Sequence, residues 1–185
     1  MLYLALALSS ATLPAAGTTP ASLEPGFAGA LRGCEEWVLN PASWADGPEP
    51  FLKTVGLGKT IGLVESIPDI AQPPPAWRRA NHYWRINSTP QSGYFLVVSD
   101  RLPMCHITGG GSVDFQPVIA TVLVSPEFSS RWELVEEQVS GDLASSRYRL
   151  RESPQFGMTI SRAAAPGGRT DRVQVQVSAS FDLGK

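Results

Sequence analysis

Residues 172–181 constrain the fold more than any other stretch of the chain. Val173, Val175, Val177, Ala179 and Phe181 alternate with Arg172, Gln174, Gln176, Ser178 and Ser180. A period of two puts the apolar side chains on one face of a strand and the polar ones on the other. A strand that is dry on one side and wet on the other belongs to an antiparallel sheet covered on one side only. Three more β-prone runs lead up to it, at 132–138, 145–151 and 156–162, and turn-rich segments at 139–143 and 165–170 read as hairpin loops.

Such a sheet needs a cover, and two helices are available. In residues 23–39, Leu23, Phe27, Leu31, Cys34 and Val38 recur at spacings of three and four, and Asn40-Pro41 ends the run. Gly29 and Gly33 would let this helix approach the sheet closely. Residues 42–51 read as a loop, and 55–66 as a strand with a bulge among Gly56, Gly58 and Gly62. Pro73-Pro74-Pro75 makes 68–76 an extended connector. A strand follows at 82–87, with Tyr83, Arg85 and Asn87 on one face and His82, Trp84 and Ile86 on the other. Residues 93–99 form an unbroken β-prone run that reads as a central strand, and 104–108 as a short further strand. Gly109-Gly110-Gly111 is expected to turn the backbone into a second helix, N-capped by Asp114, with Phe115, Val118, Ile119, Val122 and Leu123 on its apolar side. The order (α-β-β-β-α-β-β-β, with three or four strands per run) predicts one α+β domain over 22–185. It should be a single antiparallel sheet of about six to eight strands with both main helices packed on one face.

Met1 to Leu8 is apolar, small residues and two prolines follow, and no charge appears before Glu24. That pattern predicts a signal peptide over 1–21 and a periplasmic or secreted mature protein, with Ala15 and Gly17 spaced for cleavage. Pro14 interrupts the apolar run well short of a transmembrane length. Export makes the two cysteines a natural pair, so a disulfide between Cys34 and Cys105 is expected. A net charge of −2 argues against nucleic acid or an anionic membrane surface as a partner. The expected partner is a small ligand or an envelope protein, and the expected state a monomer or weak homodimer.

The chain resembles a class of small exported bacterial proteins of unknown function. The shared features are Phe27 and Cys34 in the first helix, a strand ending in Cys105-His106, the glycine turn into a helix, and a late Ser161-Arg162-Ala163. The resemblance implies the fold and export, and no activity.

Chemistry has few places to sit. Cys105 and His106 are neighbours on a strand and point to opposite faces, so they do not form a nucleophile–base pair. His82 and His106 have no local metal-ligand spacing around them, so no metal is expected. Gly58-Lys59-Thr60 lacks the leading glycine of a phosphate-binding loop, since position 53 is Lys53. Gly109 and Gly111 lack the third glycine of a dinucleotide fingerprint, and no cofactor is called for. The glycine run before a helix start reads as the best ligand site, through exposed backbone N–H groups assisted by Arg101, His106, Thr108, Gly110 and Ser112. The expectation is therefore a non-catalytic binding module. The alternative is a small periplasmic hydrolase with His106 as its catalytic residue beside Ser99, Asp100 or Ser112. Mass spectrometry of the exported protein should show loss of the leader and a mass gain on reduction. A full-length chain with two alkylatable thiols would remove both the leader and the disulfide.

Overall fold

The computed structural model describes residues 23–168 and 173–181. The predicted signal peptide and Arg172 lie outside the described residues. Helix α1 (Leu23–Leu39) is followed by the short helices α2 (Ala42–Ala45) and α3 (Glu49–Val55), then by strands β1 (Ile61–Val64), β2 (Asn81–Thr89), β3 (Ser92–Ser99) and β4 (Met104–Gly111). Helices α4 (Gln116–Val124) and α5 (Pro126–Arg131) precede β5 (Trp132–Ser140), β6 (Leu143–Leu150), β7 (Phe156–Ala163) and β8 (Val173–Phe181). The strands form one eight-stranded sheet in the order β1-β2-β3-β4-β8-β7-β6-β5, with every pair antiparallel. The last strand of the chain thus closes the middle of the sheet, which explains its regular alternation.

The α+β reading holds, with four strands in each run and the helices on one face. Helix α1 lies across β2, β3 and β4, and α4 packs beside it. The core between them includes Phe27, Cys34, Leu96, Ile107, Ile119 and Val177. Gly33 is what permits the close approach: a Cβ there would stand 2.9 Å from Leu96 Cδ2. The expected Cys34–Cys105 disulfide is formed, with Cα atoms 5.4 Å apart, and it joins α1 to the middle of the sheet across 71 residues. Glu35 is almost buried, accepting a hydrogen bond from Trp132 Nε1 at 2.7 Å and pairing with Arg131 at 2.6 Å. No helix among the described residues is long and apolar enough to cross a membrane.

Two local expectations are corrected. The 42–51 loop contains α2 and the start of α3, and Val55 ends α3 instead of beginning a strand. Phe51 and Val55, four apart and both fully buried, are the anchors that make α3 a helix. Second, the triple glycine is not a turn but the end of β4, paired with β3 on one side and β8 on the other. The reason is packing from across the sheet. A Cβ on Gly109 would stand 2.5 Å from Tyr94 Cδ1 and 2.7 Å from Val175 Cγ1. Gly111 sits at φ +149° against the backbone of Gln91. The helix then starts at Gln116, one residue later than expected, with Asp114 Oδ1 accepting its N–H at 3.0 Å.

Tyr94 also donates to Leu23 O at 3.1 Å, so its ring fixes the start of α1. Gly109→Ala must displace that ring and is expected to cost about 2–3 kcal/mol in a denaturant titration. A neutral or stabilised variant, as at an unstrained turn, would contradict this role.

Candidate functional site

The helices cover one face of the sheet, so any site on the other face depends on what lies over it. Part of that face is crossed by a strap, residues 67–77, of which the sequence predicts 68–76 as an extended connector. Pro68 and Pro74 are extended, with short 3₁₀ turns at Asp69–Ala71 and Pro75–Trp77. Ile67 and Ala71 of the strap pack on Val97 in β3, with Tyr83 and Phe95 beside them. Arg78 Nε donates to Pro73 O at 2.8 Å and holds the end of the strap.

The strap leaves a hollow on either side. The first, about 590 Å³, lies over the glycine end of β3 and β4. Its floor follows from strand register. Arg85, Phe95 and Thr108 form one row across β2, β3 and β4, and Asn87, Gly93 and Gly110 form the next. Two of the three side chains in the second row are missing, and their absence makes the depression. Pro68, Ile70 and Ala71 of the strap wall one side, and Pro90 and Gln91 of the β2–β3 hairpin wall the other. Arg85 is the sole charged residue in the described lining, which contains no His, Cys, Asp or Glu. Arg85 makes no ion pair among the described residues. Thr108 Oγ1 is buried and has no hydrogen-bond partner among the described residues.

The second hollow, about 580 Å³, lies beyond the strap near Trp77, Arg147, Arg149, Thr159 and Ser178. Its two arginines are already neutralised: Arg147 pairs with Glu136 at 3.2 Å and Arg149 with Glu133 at 2.8 Å.

Of the residues expected to bind a ligand, Thr108, Gly110 and Ser112 line the first hollow, while Arg101 and His106 do not. Arg101 follows Ser99 at the opposite end of β3 from Gly93. The expected anion site on free N–H groups is not open either. The glycines are engaged in the sheet ladder, and Phe115 N–H is taken by Gln174 Oε1 at 2.9 Å. Gln174 also donates to Gly111 O at 3.0 Å and Val113 O at 2.7 Å, which fixes the segment at the end of the hollow. Arg85, Asn87 and Phe95 were not singled out as one site by the sequence. Their shared face is legible, but their placement beside the glycines depends on strand register.

The residues of the hydrolase alternative are spread along the sheet. His106 is 1% exposed, and its Nδ1 lies 3.1 Å from Ser178 Oγ. Asp100 instead pairs with His82 at 2.7 Å. The Ser99 hydroxyl donates to Arg79 O and accepts from the N–H groups of Arg101 and Leu102. Ser112 lies six residues beyond His106, about 20 Å along an extended chain. Among the described residues, no group of three His, Cys, Asp or Glu side chains gathers as a metal site.

These features define an antiparallel α+β protein, disulfide-fastened, with a small glycine-floored groove on its open face. No family model matches the chain, and neither does any curated protein or solved structure.

Burial draws the His106 pKa down from 6.5 to about 4. The unfolded chain therefore takes up the proton first, and the stability His106 contributes is fully present above pH 6.5 and lost as pH falls towards 4. The loss amounts to about 3 kcal/mol. Glu35 acts in the opposite sense, since burial raises its pKa against the opposing pulls of Trp132 and Arg131. Denaturant titrations at pH 7 and pH 4 should show a smaller acid loss for His106→Asn than for the wild type. Equal slopes in the two proteins would place His106 in contact with water.

Proposed function

We propose that this protein is an exported, non-catalytic binding module and that its ligand occupies the glycine-floored groove. The observation that carries this reading is the composition of the groove. It joins one arginine without an ion pair among the described residues and several amide and hydroxyl groups to an apolar wall, and its described lining has no group suited to act as a nucleophile paired with a base. Its volume is in the range that accepts a small organic molecule. The disulfide supports placing the protein in the periplasm or outside the cell, where such a bond persists.

Two-dimensional NMR of the labelled protein against a small-fragment set provides the test. Amide signals of residues 85–95 and 108–112 should move, and the bound fragments, ester-bearing ones included, should be recovered unchanged. Shifts confined to other faces would overturn the site, and turnover of the fragments would overturn the non-catalytic reading.

A further inference from the structure

Resting on that reading of the groove, the geometry points to its ligand class: we propose a small monocarboxylate with a flat apolar body. Arg85 presents the only charge in the described lining and has no ion-pair partner among the described residues, so a ligand anion would supply the missing counter-charge. A guanidinium fork matches a carboxylate with two parallel hydrogen bonds. Charge counting favours one negative charge over two. A phosphate monoester brings nearly two charges to a groove with one cation, and the nearby helix start is already capped by Asp114 and Gln174.

The rest of the groove sets the shape. From Arg85 the row runs inward to Phe95 and Thr108, so a carboxylate held at β2 directs its body over β3 and β4. There the floor is Gly93 and Gly110, two backbone segments without side chains. A flat ring can lie on such a floor, while a bulky branched body would meet the strap residues Ile70 and Ala71. Phe95 offers an aromatic neighbour at the edge of that floor. Asn87, on the same face as Arg85 and two residues along β2, adds an amide beside the carboxylate. Thr108 Oγ1, buried and unpartnered among the described residues, is a polar atom at the inner end for a ring substituent able to hydrogen-bond.

The probes are 2-naphthoate, its neutral isostere 2-naphthalenemethanol, and 2-naphthyl phosphate, titrated into the wild-type protein, Arg85→Gln and Gly110→Val. Binding is read from the groove amide signals, and thermal melts confirm that each variant is folded. The expected result is naphthoate binding at least tenfold tighter than the alcohol in the wild type, with the phosphate no tighter than the carboxylate. Arg85→Gln should abolish that preference and leave the alcohol unchanged. Gly110→Val should weaken both by tenfold or more; if that variant is unfolded, Phe95→Leu takes its place. Equal binding of naphthoate and alcohol, insensitive to Arg85→Gln, overturns the carboxylate proposal and leaves the groove as a neutral-ligand site. Tighter binding of the phosphate also overturns it. If none of the three moves the groove signals, the carboxylate proposal falls, and the binding-module reading is decided separately by the fragment set.

Discussion

The Cys34–Cys105 bond is the constraint on which the rest of the molecule depends. It joins the middle of α1 to β4, and β4 is the strand through which the two halves of the sheet meet. Both sulfurs are fully buried in the one core between helices and sheet. The 71-residue separation makes the cross-link worth about 4 kcal/mol in the chain-entropy picture. Its structural consequence is as important as its energy. With α1 fixed over β3 and β4, Tyr94 can reach Leu23 O and Glu35 can reach Trp132, so the inner strand β3 and the edge strand β5 are tied to one helix.

β4 divides its residues between two faces with different demands. Cys105 and Ile107 face the helices and fill the core. His106, Thr108 and Gly110 face the other way, towards the side that the strap only partly covers. His106 is buried there beside Val97 in the register, where Ile67 and Ala71 of the strap pack. Four positions further along, at Gly110, the cover has ended and the glycine floor begins. One strand thus passes from sealed to open within a few residues, and that boundary places a groove beside a rigid core.

How legible this was depends on whether the signal was local. Helix α1 and β8 follow from periodicity within their own sequence and β3 from an unbroken β-prone run, and α1 has the same bounds in sequence and structure. The pairing of Cys34 with Cys105 rests on the expected export and on a count of sulfurs, both local to the sequence. Helix α3 was hidden because its seven residues hold two buried anchors, Phe51 and Val55, amid prolines and glycines. The triple glycine misled for a different reason. Glycine is a turn former by local preference, and what requires it here is the Tyr94 ring on β3 and the Gln91 backbone of the β2–β3 hairpin. The site was half visible by the same logic: Thr108, Gly110 and Ser112 lay in the stretch that was singled out, whereas Arg85, Asn87 and Phe95 join them only through the β2–β3–β4 register.

The comparison between the two hollows shows why one of them is a better ligand site. They are almost equal in volume, and both carry arginine on the same open face of the sheet. In the strap's far hollow, each arginine on β6 faces a glutamate on β5, and cross-strand pairing of opposite charges satisfies both. A ligand anion there would have to displace a carboxylate already in place. On β2 the residues flanking Arg85 on its own face are Tyr83 and Asn87, and Phe95 stands opposite on β3, and among the described residues no acid forms an ion pair with it. The second hollow is thus electrostatically closed and the first is open, a difference set by the partner residues and not by the arginines themselves.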